Sequence, residues 1–140
     1  KTLQQGLDEF QKRNKKYFSE KPKSPKGEAF LKCHDIAHVV FGCDTTLYGE
    51  GLVKIWTTFG TTSSIRDVTN GYNDANAFEL FKEYSIRHVL KNIFKLLITI
   101  PKVIYRAKKM KKPWSFTGYE KHLNTPIHEI RKEYHIKVFE

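Results

Sequence analysis

Several things are scarce in this 140-residue chain, and each shortage narrows what it can be. It has two cysteines, Cys33 and Cys43, too few for a disulfide scaffold; they read as two buried thiols in a reducing compartment. No apolar run approaches the roughly 20 residues a membrane span needs. The most apolar stretch is interrupted by Lys91, Lys95, Pro101, Lys102 and Arg106. Period-two alternation is scarce and no internal repeat is visible, so neither a sheet nor a repeat architecture is expected. Acids are short as well, 15 against 25 Lys and Arg, for a formal net charge of +10. The first residue is Lys1 rather than Met, so a targeting leader is neither read nor dismissed.

What is present belongs to a folded protein. The chain is 39% hydrophobic and 14% aromatic, which excludes global disorder. Its length suits one compact domain spanning residues 1–140, with 1–24 as an N-terminal helix and linker. The charge is uneven. Residues 31–80 carry three Lys/Arg against six acids, whereas residues 81–112 carry ten against one. An anionic partner is therefore expected for one face only.

Helical spacing dominates the pattern. Leu7, Phe10, Asn14, Tyr17 and Phe18 give an amphipathic helix over residues 6–20, and the Pro- and Ser-bearing segment 21–27 reads as a loop. Residues 28–41 form the next helix, stopped by Gly42, and Thr45 or Thr46 caps a third running through Trp56 to Phe59. Residues 60–76 are polar and Gly/Asn-rich, so a loop or short broken helix is expected there. Helical periodicity resumes at Ala77 and continues past Asn92, with Pro101 expected to kink or interrupt it. A short helix follows Thr125-Pro126. The expected fold is all-α, about six helices, with a metal-binding helix hairpin.

That hairpin rests on HDIAHVVFGCDTTLYGE, residues 34–50. At 100° per residue His34 and His38 fall together within the most apolar stripe of their helix, which is apolar nearly all round. Buried imidazoles and carboxylates cost several kcal/mol, at about the level of an unpaired polar group or more, unless something satisfies them. An i, i+4 histidine pair aims both rings at one point, the device of zinc helices. Asp35 lies between them as a ligand or an orienting group. Glu50 sits about one turn into the next helix, at the depth of His38 in an antiparallel hairpin. The candidate metal ligands are thus His34, Asp35, His38 and Glu50, a nitrogen–oxygen set suited to one divalent ion, zinc first, with iron or manganese as alternatives. His88, His122, His128 and His135 sit among charges and read as surface or hydrogen-bonded residues. A histidine–aspartate phosphohydrolase is disfavoured, because no separate upstream His and no downstream Asp stands in a suitable helical context.

H-D-x-x-H, eleven residues, then E resembles the signature of the ubiquinone (coenzyme Q) biosynthesis family known as Coq-four, with His34, Asp35, His38 and Glu50 at its four positions. Residues 28–42 resemble the family's motif helix, and 119–136 its closing segment. The Trp56-x-x-Phe59 and Pro113-Trp114 regions agree more loosely, so the likeness spans about residues 25–136. It implies an all-α fold, a divalent ion at the four residues, a groove for a polyprenyl lipid and peripheral work at a membrane. It also implies one of two roles: organising partner enzymes of quinone biosynthesis, or removing a ring carboxylate and oxygenating that carbon.

Residues 88–114 carry Leu90, Ile93, Phe94, Leu97, Ile98 and Ile100 as one apolar face. A collar of Lys102, Arg106, Lys108, Lys109, Lys111 and Lys112 follows, ending at Trp114. Cationic amphipathic helices of this kind lie on anionic bilayers. Nucleic acid is disfavoured, since interleaved exposed aromatics and base-reading arginines are lacking. Taken with the residues, the resemblance implies a metal-dependent, prenyl-lipid-binding protein of ubiquinone-type biosynthesis, a lyase on a prenylated aromatic acid that decarboxylates, with oxygenation, an isoprenoid quinone precursor and organises partner enzymes at the membrane. The alternative is a non-catalytic lipid-binding or scaffold module with a structural metal. The expected place is the bacterial cytoplasm or the mitochondrial matrix side, peripheral to the inner membrane. Other quinone-biosynthesis enzymes and a second copy of the chain are the expected protein partners.

Overall fold

Capping residues set the helix boundaries. The computed structural model describes residues 1–15, 24–74 and 84–139. Thr2 caps α1 (Leu3–Arg13) in a reciprocal box with Gln5, so the helix starts three residues before the expected boundary. Tyr17 and Phe18 lie outside the described residues. Ser24 caps α2 (Pro25–Phe41) with Pro25 in its first turn, which moves residues 25–27 from the expected loop into helix. The helix ends at Gly42, whose φ of 67° is left-handed and free of penalty only for glycine. Thr46 accepts from the backbone of Gly49 and opens α3 (Leu47–Gly60).

The expected loop over residues 60–76 is corrected by α4 (Ile65–Asp74). Ser64 Oγ accepts from the Asp67 backbone at 3.1 Å, and Asp67 Oδ2 accepts from the Ser64 backbone at 3.2 Å. This reciprocal box starts a helix that the Gly/Asn content argued against. Gly71 then lets α4 pack closely on α2, since a Cβ there would run into the Phe30 ring. Ser85 caps α5 (Ile86–Lys108), and the part of the expected helix over 77–83 lies outside the described residues. Pro101 does not interrupt α5. Pro101 and Leu97 are both exposed, so water can take the Leu97 carbonyl that proline leaves without a donor. A 3₁₀ turn (Tyr119–His122) leads into α6 (Ile127–Tyr134), which closes at His135 in a left-handed cap.

The fold is all-α. Among the described residues there are six α-helices and no strand, only isolated bridges pairing Thr2 with Pro126 and Thr61 with Trp114. These bridges have a purpose: Leu3 donates to the Thr125 carbonyl at 3.0 Å, fastening the start of the chain to the entrance of α6. The core gathers Ile36 and Val40 of α2, Val53 and Trp56 of α3, Val103 of α5, Trp114 and Ile130, all fully buried. Phe41 and Trp56 stack at 4.8 Å, locking the far end of the α2–α3 hairpin. Arg131 donates to the carbonyls of Val39 and Val40, both at 2.9 Å, satisfying the last turn of α2 from α6. Cys33 and Cys43 are free and buried, and burial raises both thiols, Cys43 to about 12.

Candidate metal centre

The α2–α3 hairpin brings the expected residues together from first principles of spacing. His34 and His38, one turn apart on α2, are both buried. Gly42 reverses the chain, and Glu50 in the first turn of α3 meets them. Glu50 Oε1 lies 3.2 Å from His38 Nε2 and Oε2 lies 3.4 Å from His34 Nε2. One ligand atom from each of the three residues falls within 4.8 Å of the others.

Asp35 is placed differently. It is buried, but its carboxylate accepts from Gln11 Nε2 at 3.0 Å, tying α2 to α1, and it is not one of the three converging ligand groups. At 100° from His34 around the helix, a short side chain points away from the hairpin partner. Burial raises the Asp35 carboxyl, partly opposed by the Gln11 hydrogen bond.

The rings are held in fixed orientations. His38 stacks on Phe10 at 5.0 Å and His34 on Phe30 at 6.0 Å. His38 Nδ1 lies 3.1 Å from the Cys43 carbonyl, which only accepts, so Nδ1 carries a proton and Nε2 presents its lone pair to Glu50. His38 Nε2 is buried and meets no group other than the Glu50 carboxylate within hydrogen-bonding reach. In that tautomer two acceptors face each other across 3.2 Å, one of them fully buried. Only a shared proton or a cation relieves that arrangement.

The electrostatics agree. Burial opposes charge on Glu50, yet the two imidazoles outweigh it and hold the carboxyl well below the usual range. Burial also opposes the His38 imidazolium, and the hydrogen bond and charge of Glu50 outweigh it in turn, so His38 is raised above its ordinary 6.5. The site therefore stores one negative charge and attracts one positive one.

Spacing along the hairpin did not reveal Tyr72. It reaches in from α4, its hydroxyl 2.6 Å from His34 Nε2 and its ring edge-on to His34 at 5.1 Å. Burial, then the charge of Glu50, pushes its phenol well above 10.0, so it stays a hydroxyl. The signal that marks it is the Ser64-x-x-Asp67 box, which makes α4 a helix and puts Val68 and Tyr72 on one buried face. The remaining histidines behave as expected: His88, His128 and His135 are exposed, and His122 Nε2 lies 3.1 Å from the Tyr134 hydroxyl.

A pocket of about 130 Å³ borders the cluster. Glu50 and Tyr72 meet it on the cluster side, Leu47, Ile93 and Leu96 give it apolar walls from α3 and α5, and Lys54 lines it one turn beyond Glu50. Three protein donors leave a divalent ion at least one position for a ligand from such a pocket.

Fold and site together define a class: a helical protein whose buried hairpin offers one cation two imidazoles and a carboxylate beside an apolar pocket. The family is equally definite. The model described as coenzyme Q (ubiquinone) biosynthesis protein Coq4 matches residues 29–140, and the chain belongs to that family, whose role is in ubiquinone biosynthesis. No curated protein and no solved structure matches the chain.

Proposed function

We propose that this protein is a metal-dependent lyase that removes the ring carboxylate from a prenylated aromatic acid during ubiquinone biosynthesis. The observation that supports it most directly is the facing pair of acceptors, the buried His38 Nε2 and the half-buried Glu50 Oε1, beside an apolar pocket. His34, His38 and Glu50 would hold a divalent ion, zinc first among the candidates, which when bound would supply Lewis acidity to the site.

The chain's own groups do the rest. The Cys43 carbonyl fixes the His38 tautomer, and Phe10 and Phe30 fix the planes of the two rings. Leu47, Ile93 and Leu96 give an isoprenoid tail apolar contact and keep water from the reacting carbon. Lys54 adds positive potential where an acidic ring enters. Asp35, held by Gln11, acts as a buried negative charge behind the histidines rather than as a ligand.

The reaction breaks the bond from ring to carboxylate. The electron pair stays on the ring carbon, and a proton takes it up or, with dioxygen and a reductant supplied, a hydroxyl replaces it. The test is carbon dioxide release from a carboxyl-labelled prenylated hydroxybenzoate by metal-loaded protein, with and without air, beside His38→Ala. Release by wild type alone supports the reading. Tight binding of the acid without release contradicts it and leaves a scaffold that presents the lipid to partner enzymes.

A further inference from the structure

Tyr72 reaches the site from outside the hairpin, and the packing of α4 on α2 fixes it there. It is 3% exposed, its ring meets Phe30 edge-on at 5.4 Å, and the Lys54 ammonium lies 5.2 Å from the ring centre. Gly71 keeps this approach open, because a Cβ there would enter the Phe30 ring. The hydroxyl ends 2.6 Å from His34 Nε2, the same atom that faces Glu50 Oε2 at 3.4 Å.

One nitrogen thus serves two uses. Whichever of the two atoms carries the shared proton, an ion on His34 Nε2 ends the bond to Tyr72. The hydroxyl then holds its proton in a buried place, where a donor without an acceptor is costly. Glu50, the nearest carboxylate, is itself one of the three candidate ligands. The pocket that Tyr72 lines has Leu47, Ile93 and Leu96 as apolar walls and Lys54 one turn beyond Glu50. A hydroxyl, an ammonium and a cation at one end of an apolar pocket suit an anionic oxygen carried by an otherwise apolar ligand.

We propose that Tyr72 selects the ligand of this pocket. Its hydroxyl bonds to His34 while the site is empty, and donates to a carboxylate oxygen of an aromatic acid once His34 Nε2 is given over to an ion. The inference rests on the metal-bearing reading above but needs no turnover, so it applies to a lyase and to a scaffold alike. Ion and acid are coupled through one hydroxyl, and linkage makes that coupling equal in either order of binding.

The test compares wild type with Tyr72→Phe, which keeps the ring and removes only the hydroxyl; a thermal melt of each protein checks folding. Zinc affinity is measured by competition with a chromophoric chelator, and binding of a short-chain prenylated hydroxybenzoate by calorimetry. Without the acid, Tyr72→Phe binds zinc about fivefold more tightly than wild type, because no bond to His34 has to be given up. With zinc in place it binds the acid at least about tenfold more weakly, a charge-assisted hydrogen bond being lost. Without zinc the two proteins bind the acid alike, and the uncharged methyl ester separates the zinc-loaded proteins far less than the acid does. A tyrosine that ligated the ion, or merely packed against His34, would instead leave the variant with weaker zinc binding. Zinc affinity unchanged or lowered in Tyr72→Phe, or acid binding to the zinc-loaded protein unchanged by the substitution, overturns this inference and leaves the metal-dependent lyase standing. A wild type that binds no zinc overturns both.

Discussion

Glu50→Gln is a nearly isosteric change whose effect on the metal-free protein reverses sign with pH. In wild type the His38–Glu50 contact is favourable while it holds a proton. Because His38 is raised above 6.5, its contribution is fully present below that value and is lost as pH climbs through the folded-state pKa. Glu50 is depressed below 4.5, so its contribution is present above that value and lost as pH falls well below it. Between these limits the pair is an ion pair, and above them it becomes two facing acceptors. Glutamine supplies an amide donor to the His38 lone pair but cannot match an ion pair. Once pH has climbed past the folded-state pKa of His38 the variant should therefore gain about 1–2 kcal/mol by satisfying a buried acceptor, and at pH 5.5 it should lose about 1.5–3 kcal/mol of charge-assisted hydrogen bonding. Those differences correspond to melting shifts of roughly 3–8 °C upward and 5–10 °C downward. The assay is thermal denaturation followed by circular dichroism on chelator-treated protein across pH 5.5 to 10, which locates the crossover. Zinc at a hundred times its dissociation constant for wild type should then add about 2.7 kcal/mol to wild type and far less to the variant at the same zinc concentration. A variant equally destabilised at both ends of that range, or stabilised by zinc as much as wild type, would refute the facing-acceptor argument.

Other residues give sharper local tests. Tyr72→Phe removes the hydroxyl 2.6 Å from His34 Nε2, so it should cost about 1 kcal/mol in the metal-free protein and close to nothing once zinc occupies that lone pair; paired melts measure the difference. Gly71→Ala drives a Cβ into Phe30, and should cost about 1–3 kcal/mol in denaturant unfolding while displacing Tyr72 from His34. Arg131→Ala leaves the Val39 and Val40 carbonyls without their side-chain donors and should cost about 2–3 kcal/mol, with Arg131→Lys restoring only part because it cannot fork to both.

The sequence carried much of the site because the hairpin is local. Two histidines one turn apart, a glycine stop and a threonine cap fix His34, His38 and Glu50 relative to one another with no long-range information. Asp35 was harder to place: its spacing left it a ligand or an orienting group, and its carboxylate meets Gln11 of α1. Tyr72 was hidden by composition, since the polar residues around Asn70 and Gly71 in α4 masked a capping box of only two residues, Ser64 and Asp67. The contacts that orient the rings, from Phe10, Phe30 and the Cys43 carbonyl, depend on tertiary packing that periodicity does not encode. Pro101, expected to kink or interrupt its helix, does not interrupt it: the carbonyl it leaves without a donor belongs to an exposed residue, where water can serve it.

The central claim is that His34, His38 and Glu50 hold one divalent ion. The most direct measurement is elemental analysis by plasma mass spectrometry of tag-free protein, purified with and without air, beside a His34→Ala/His38→Ala variant. The account predicts one equivalent of a single divalent metal in wild type and none in the variant. A wild type that binds no metal even when zinc, iron or manganese is supplied, or a variant that keeps a full equivalent, would contradict it.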